Sequence, residues 1–339
     1  MNKDFAKALL LRCFLALGVV ALFVVPLLSI CNFRLSAQVD ELQKKVTDAS
    51  RAIAAYDRAL CLSNFTVQQA KKTTRHTTSI DGTERTYYVH TPANYDASVR
   101  YPVVLNFDGI SGSGLGMQEY SGLNDLPAIS VYPDPLVGKE GFTAWQGAPY
   151  SLDGDGDVRL VKDIIETLPN SYCVDSTRIF AVGMSNGGGF AMIAGCELPQ
   201  YIRATVGISG AYYTDCQGEG RAVSVMAVHS LDDQAVPFRG AATRGLPAIP
   251  NWAQAQAEKR DCRLKSEVSV ADNAKQYTWY GCRNDSLVRM VTIGSESHGW
   301  LTLPHELKPN NYRDQTMASY VWSFLEEATY SDGTRGELY

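Results

Sequence analysis

Ser185 stands in Gly183-Met184-Ser185-Asn186-Gly187, a G-x-S-x-G pentapeptide. An apolar run over residues 178–182 precedes it, and a segment of helical character over 188–194 follows. Strand, tight turn and helix in that order hold a serine in strained backbone geometry with its hydroxyl above the sheet. The flanking glycines let helix and strand pass close together. A free serine hydroxyl is nearly unreactive at neutral pH, so such a nucleophile needs a general base and a group that orients the base. It also needs N–H donors aimed at the charge that develops on a carbonyl oxygen.

On an elbow of this kind the partners follow in chain order serine, carboxylate, histidine. The chain has five histidines. His76 lies in a polar stretch, His90 in a first hairpin, and His229 inside a strand before any suitable acid. His298 follows the last clear strand directly, in Gly294-Ser295-Glu296-Ser297-His298-Gly299-Trp300, where a loop can carry an imidazole over the serine. His305, beyond Pro304, reads as a surface residue. The acid belongs after the apolar run 223–229, where Asp232 and Asp233 both qualify, and spacing leaves the two open. For the oxyanion, one backbone donor is the amide of Asn186. The other is that of Gly109 or Ile110, in the loop after the run 103–107. Ile110 is the residue expected here. Asp108, Trp145, Phe238 and Trp300 fall near the expected strand ends and are the candidates for contacting substrate.

These residues need a framework of strand ends. Continuous apolar runs at 101–107, 128–133, 178–182, 204–209, 223–229 and 288–293 read as strands covered on both faces. Residues 79–90 read as a hairpin around Asp81-Gly82. Helical spacing at 157–165, and Met317, Tyr320, Val321, Phe324 and Leu325 on one face after an Asp314 cap, supply helices. Strands alternating with helices imply an α/β fold with a mostly parallel, doubly wound sheet and helices on both faces. Asp153-Gly154-Asp155-Gly156-Asp157 resembles a calcium loop, but the glutamate such a loop requires is replaced by Ile164. These carboxylates are read as a solvated loop and helix N-terminus, and neither metal nor organic cofactor is expected.

The chain has 339 residues and a formal net charge of -5. It has no basic field or Lys/Arg cluster, which excludes nucleic acid as a partner. Residues 13–33 are about 20 mostly apolar positions, the length of a membrane span. Lys3, Lys7 and Arg12 before them place residues 1–12 on the cytoplasmic side. The expectation is a signal anchor over 1–33, with a cleaved signal and secretion as the alternative. Leu35, Val39, Leu42, Val46, Ala49, Ile53, Tyr56 and Leu60 then form a heptad seam. It is expected as a stalk over 34–60 through which chains associate, or as an amphipathic helix lying on the bilayer or the domain. A polar linker or edge segment follows over 61–78, and the catalytic domain spans 79–339. Cys61, Cys173, Cys196, Cys216, Cys262 and Cys282 fit an exported protein with disulfides. Cys262 with Cys282 is the expected pair, and the partners of the other four stay open.

From about Cys61 to the C-terminal helix the chain resembles the feruloyl esterases and polyhydroxybutyrate depolymerases within the α/β-hydrolases. The matching residues are Arg85-Thr86-Tyr87-Tyr88-Val89-His90-Thr91-Pro92, Tyr132-Pro133-Asp134 and Tyr172-Cys173-Val174-Asp175-Ser176-Thr177-Arg178-Ile179, with the elbow and Cys196. The pattern H-G-x-x-D-x-x-V-P-Y lies over residues 229–238, a register that puts the acid on Asp233. Two positions depart from the family. Its His-Gly at the oxyanion loop is Asp108-Gly109 here, and its Gly-His-Thr/Ser-Trp-Pro around the base is Ser297-His298-Gly299-Trp300-Leu301. The resemblance implies a serine esterase, with Ser185 as nucleophile, His298 as base and Asp233 as its orienter. Its substrates would be feruloyl or acetyl esters of plant polysaccharide. The alternatives are a polyester depolymerase, a serine peptidase and a non-catalytic surface protein on the same fold.

Overall fold

The computed structural model describes residues 69–214, 220–271, 273–294, 296–303 and 316–330, with Cys61 and six positions between 38 and 45. The chain divides into two units, Met1–Leu60 and Cys61–Tyr339. In the first, Gln38, Val39, Glu41, Leu42, Lys44 and Lys45 are helical, and Glu41 pairs with Lys45 one turn on. The seam residues Val39 and Leu42 are 44% and 60% exposed. The expected membrane segment lies outside the described residues. Among those described, no helix is long and apolar enough to cross a membrane.

The second unit is built on a sheet of strands β1 (Thr73–Ile80), β2 (Thr83–His90), β3 (Tyr101–Phe107), β4 (Ile129–Pro133), β7 (Val174–Met184), β8 (Ile202–Ile208), β9 (Ser224–Ser230), β10 (Leu264–Ala271), β11 (Ala274–Tyr280) and β12 (Val288–Ile293). A small separate ribbon pairs β5 (Leu136–Val137) with β6 (Thr143–Ala144). The strand order is β1-β2-β4-β3-β7-β8-β9-β12-β11-β10. From β4 to β12 every pairing is parallel. Antiparallel strands flank this centre on both sides. The sheet is therefore mixed: the parallel centre is the one expected, and antiparallel strands extend it on both sides. The centre is buried on both faces, whereas the added strands need only one covered face and lack the long apolar runs that mark a strand in sequence.

β3 shows how the core divides. Val104 points into a cluster with α5 (Met317–Tyr330), while Val103, Leu105 and Phe107 point into the opposite one. That opposite cluster also holds α2 (Gly156–Thr167) and α3 (Asn186–Glu197). Alternation with period two puts successive side chains on opposite faces, so an unbroken apolar strand requires helices on both. α4 (Ile249–Lys259) extends the second layer over Val225 and Ala227 of β9. α1 (Gly114–Ser121) sends Met117 into the first layer. On α5, Thr316 Oγ1 accepts the N–H of Ser319, while the expected cap Asp314 lies outside the described residues.

β1 begins at Thr73, inside the stretch expected as a polar linker or edge segment. Its alternating half-buried and exposed positions are those of an outer strand. β10 is exposed along most of its length, and Lys265 lies over the rings of Tyr277 and Trp279 of β11 at 5.4 and 4.4 Å. A charged, exposed outer strand resists edge-to-edge association but carries no apolar signature. Disulfides join Cys61 to Cys173 and Cys262 to Cys282, the latter the expected pair. Cys196 is also disulfide-bonded, and Cys216 lies outside the described residues.

Candidate active site

Ser185 sits between β7 and α3 with φ 54° and ψ −119°, a left-handed conformation that costs an L-residue on the order of 1–3 kcal/mol. Close packing enforces it. A Cβ on Gly183 would lie 2.1 Å from the carbonyl oxygen of Gly187, and one on Gly187 would lie 2.2 Å from that of Phe107. The Ser185 N–H donates to Ile208 O at 2.9 Å, and its carbonyl accepts the N–H of Gly189 and of Ala211. The turn is thus fixed from β8 as well as from its own helix.

His298 Nε2 lies 2.9 Å from Ser185 Oγ, and its Nδ1 lies 2.8 Å from Asp233 Oδ2. The carboxylate sets the tautomer: Nδ1 carries the proton and donates it, so Nε2 is free to accept from the serine hydroxyl. The loop bearing His298 is tied down at several points. Ser209 Oγ donates to Gly299 O at 2.8 Å, Ser230 Oγ donates to Glu296 O at 2.5 Å, and Leu231 N donates to Ile293 O at 2.8 Å.

Asp233 is buried and Asp232 is exposed, which separates the two candidates that spacing left open. Asp233 Oδ1 accepts the N–H groups of Ala235 and Val236 at 2.9 and 2.8 Å. Burial by itself raises the carboxyl. Hydrogen bonds from His229, His298 and the Val236 N–H outweigh it and hold the group well below the usual carboxylate range. His229, set aside on chain order, is fully buried, with Nε2 3.3 Å from Asp233 Oδ2. The residue types around 229–233 contained that signal, since a histidine four residues before the acid at a strand end can reach back to it. His76 stacks on Tyr87, and His90 bonds Thr73. His305 lies outside the described residues.

The loop expected to carry the second oxyanion donor packs directly on Ser185, for a Cβ on Gly109 would lie 3.2 Å from Ser185 Cβ. The N–H of Gly109 is taken by Asp108 Oδ1 at 2.7 Å. Those of Ser111 and Gly112 go to Thr143 O and Gly109 O. Those of Ser113 and Gly114 go to Asp108 Oδ2 and Asp134 Oδ1. Between Gly109 and Gly114, the Ile110 amide alone has no acceptor among the described residues. Asn186 opens α3, where the first N–H groups of a helix have no intrahelical acceptor.

Asp108, expected against substrate, turns its carboxylate into its own loop. It accepts Gly109 N, Ser113 N and the hydroxyl of Tyr120. Burial first, and then this carboxylate, pushes the Tyr120 phenol far up, so it stays a neutral donor. Trp145 is likewise no wall of a cleft. It is fully buried, stacked on Phe190 at 5.0 Å and edge-on to Phe107 at 5.1 Å. Its Nε1 donates to Asp108 O at 3.0 Å, its N–H donates to Asn186 Oδ1 at 2.7 Å, and its carbonyl accepts Asn186 Nδ2 at 3.2 Å. Trp145 therefore clips the oxyanion loop to the elbow. Phe238 packs partly buried against the α4 cluster, with its ring 6.3 Å from that of His229. Trp300, next to the base, is half-buried and meets the Tyr120 ring edge-on at 6.2 Å.

The aspartates of the calcium-like run are held by cations. Asp157 is buried and bonds Arg85 at 2.7 Å and the N–H of Gln146 at 2.8 Å, bracing the Trp145 segment from behind. Asp153 pairs with Lys139, and Asp155 with Arg159. No group of three or more His, Cys, Asp or Glu side chains is placed to hold a metal ion among the described residues.

No family model matches the chain. Curated relatives include a probable feruloyl esterase C of Aspergillus terreus, 27% identical over 165 residues that make up 46% of this chain and 57% of the relative. Another is feruloyl esterase B of Piromyces equi, 34% identical over 125 residues, 35% of this chain and 23% of the relative. The chain spans little more than half the length of the first of these, 57%. Among solved structures, acetyl xylan esterase from Aspergillus awamori superposes with a TM-score of 0.50 at 16% identity, covering 67% of this chain and 94% of that one. That likeness shows the fold. The resemblance to feruloyl esterases drawn from the sequence is borne out.

Proposed function

For a chain related to the feruloyl esterases, we propose a serine carboxylic-ester hydrolase acting on feruloyl or acetyl esters of plant polysaccharide. The hydrogen-bonded sequence Ser185–His298–Asp233 on a strained elbow carries this reading. Ser185 Oγ attacks the ester carbonyl while His298 Nε2 takes its proton. Asp233 keeps the imidazole in the receptive tautomer and stabilises the imidazolium. The amides of Asn186 and Ile110 receive the oxyanion, each donor being worth about 3–4 kcal/mol of barrier. Collapse of the tetrahedral intermediate expels the alcohol, which leaves with the proton from His298. Water then enters by the reverse relay and frees the acid.

The rings of Trp300 and Tyr120 give an aromatic acyl group a surface to lie against. The disulfides support an oxidising, extracytoplasmic location. Anchoring through residues 13–33 belongs to the same reading, and extraction of membranes with alkaline carbonate tests it.

The decisive assay compares the full chain with Ser185→Ala on p-nitrophenyl acetate and methyl ferulate. Turnover that falls by about 10⁴-fold or more in the variant is expected. Wild-type protein without Ser185-dependent turnover on either ester refutes the proposal.

A further inference from the structure

His229 is fully buried and has no part in the proton relay just described. Its Nε2 lies 2.7 Å from Val236 O and 3.3 Å from Asp233 Oδ2. Both neighbours are acceptors, so Nε2 carries the proton and shares it between them. Among the described residues, Nδ1 is buried without a hydrogen-bond partner. An unsatisfied buried nitrogen is costly, and such violations of local rules concentrate at functional sites.

The division of labour on Asp233 shows what His229 adds. Oδ1 is filled by the N–H groups of Ala235 and Val236, so the backbone already fixes the plane of the carboxylate. Oδ2 accepts from His298 Nδ1 at 2.8 Å, and His229 Nε2, which bonds Val236 O at 2.7 Å, turns its N–H edge to the same oxygen at 3.3 Å. Three hydrogen bonds thus occupy the carboxylate, and the His229 N–H edge stands over the lone pair left on Oδ2. The second imidazole therefore competes with the first for the electron density of a single oxygen.

We propose that His229 is a positioning residue that sets the basicity of His298 by sharing Asp233 Oδ2. A donor on Oδ2 weakens the acceptance of the His298 Nδ1–H, and the imidazolium of His298 is stabilised less. The base stays unprotonated to lower pH, and its conjugate acid hands its proton more readily to the leaving alcohol. Among the described residues, Asp233 is the titratable group in contact with His229. Arg244 reaches the same loop by donating to Ala235 O, while Glu296 meets Ser230 Oγ only through its main-chain carbonyl and turns its carboxylate to the N–H of Thr302.

The inference rests on the esterase reading for its consequence, and its test also has a readout that needs no turnover. His229→Leu removes the donor, and His229→Gln restores an N–H at the position of Nε2. The acid limb of kcat/KM reports the base in the free enzyme. The limb is expected to move to higher pH by about one unit in His229→Leu, a tenfold change in the protonation equilibrium, and to stay at the wild-type position in His229→Gln. The same shift is expected in the His298 Cε1–H resonance followed by NMR. If wild type shows no Ser185-dependent turnover, the esterase reading fails, and the NMR titration still decides the role of His229. If His229→Leu does not fold, as judged by thermal unfolding, His229→Asn takes its place, because its shorter amide cannot reach Oδ2. A limb or resonance that coincides with wild type in the folded Leu or Asn variant, or moves to lower pH, overturns the proposal.

Discussion

On the far side of Ser185, the proposed base and acid hang from adjacent parallel strands: the loop after β9 carries Asp233 and the loop after β12 carries His298. These loops are tied by backbone amides and serine hydroxyls at the strand ends. On the near side, the loop after β3 is held by its own Asp108 carboxylate, by the Tyr120 hydroxyl and by the Trp145 indole, while the Asn186 amide grips the Trp145 main chain in turn. The first side is built on sheet register, the second on long-range polar contacts. A register-built side should tolerate loss of a peripheral side chain and fail only when a relay member changes. A side built from side chains should weaken in steps as each is removed.

The largest effect is expected on the far side. Asp233→Asn keeps the shape of the acid but offers an NH2 where His298 needs an acceptor, turning the imidazole to the wrong tautomer. We expect kcat to fall by about 10³- to 10⁴-fold with KM little changed. The same variant tests acid stability. A carboxyl held below its unfolded value stabilises the fold fully above the ordinary carboxylate range and loses that contribution as pH falls through its folded value. Wild type should therefore lose stability progressively below about pH 4, and the gap between it and Asp233→Asn should close over that range. A gap constant from pH 6 to pH 3 in denaturant titrations would contradict the assignment.

An intermediate effect is expected where the two sides meet. Asn186→Ala keeps the backbone donor at position 186 but strips both side-chain bonds to Trp145. Two buried main-chain groups are then left unpaired, costing about 2–4 kcal/mol of stability. The oxyanion loop, tied to Trp145 through Asp108 O, loses its brace against the elbow. Catalysis is expected to drop about 10- to 100-fold, chiefly in kcat. Chemical denaturation and steady-state kinetics on the same preparation check both halves. Lost stability at undiminished kcat would show that the clip serves folding alone.

This division also explains what could be read before the fold was known. Ser185, His298 and the pair Asp232/Asp233 were legible because each follows an apolar run that must be a buried strand, and chain order then restricts the combinations. The choice of Asp233 came from family register, and its physical basis is burial beneath two backbone N–H donors. The roles of Trp145 and Asp108 were not legible. Each was placed against substrate from its position near a strand end. What decides its orientation is a partner 37 residues away in the indole's case and 12 away in the carboxylate's. The exposed strand β10 escaped for another reason. It is stabilised by pairing and by polar cross-strand contacts such as Lys275 with Glu267, which leave no apolar period.

The smallest effect is expected from Tyr120→Phe, which sharpens the comparison most because it touches neither relay nor clip. The phenol donates to Asp108 Oδ1, which also receives the Gly109 N–H, while Oδ2 receives Ser113 N. Removing the hydroxyl leaves the carboxylate with its two backbone donors and keeps the ring facing Trp300. Asp108 can then relax toward water at the half-open margin of the site, and the loop carrying the Ile110 amide loosens with it. A misplacement of one oxyanion donor costs less than its removal, so kcat should fall by about 3- to 10-fold. KM for methyl ferulate should change less than twofold, since the aromatic surface is intact. If kcat is unchanged while KM rises severalfold, Tyr120 serves substrate binding. The near side would then be held by its backbone after all, as the far side is.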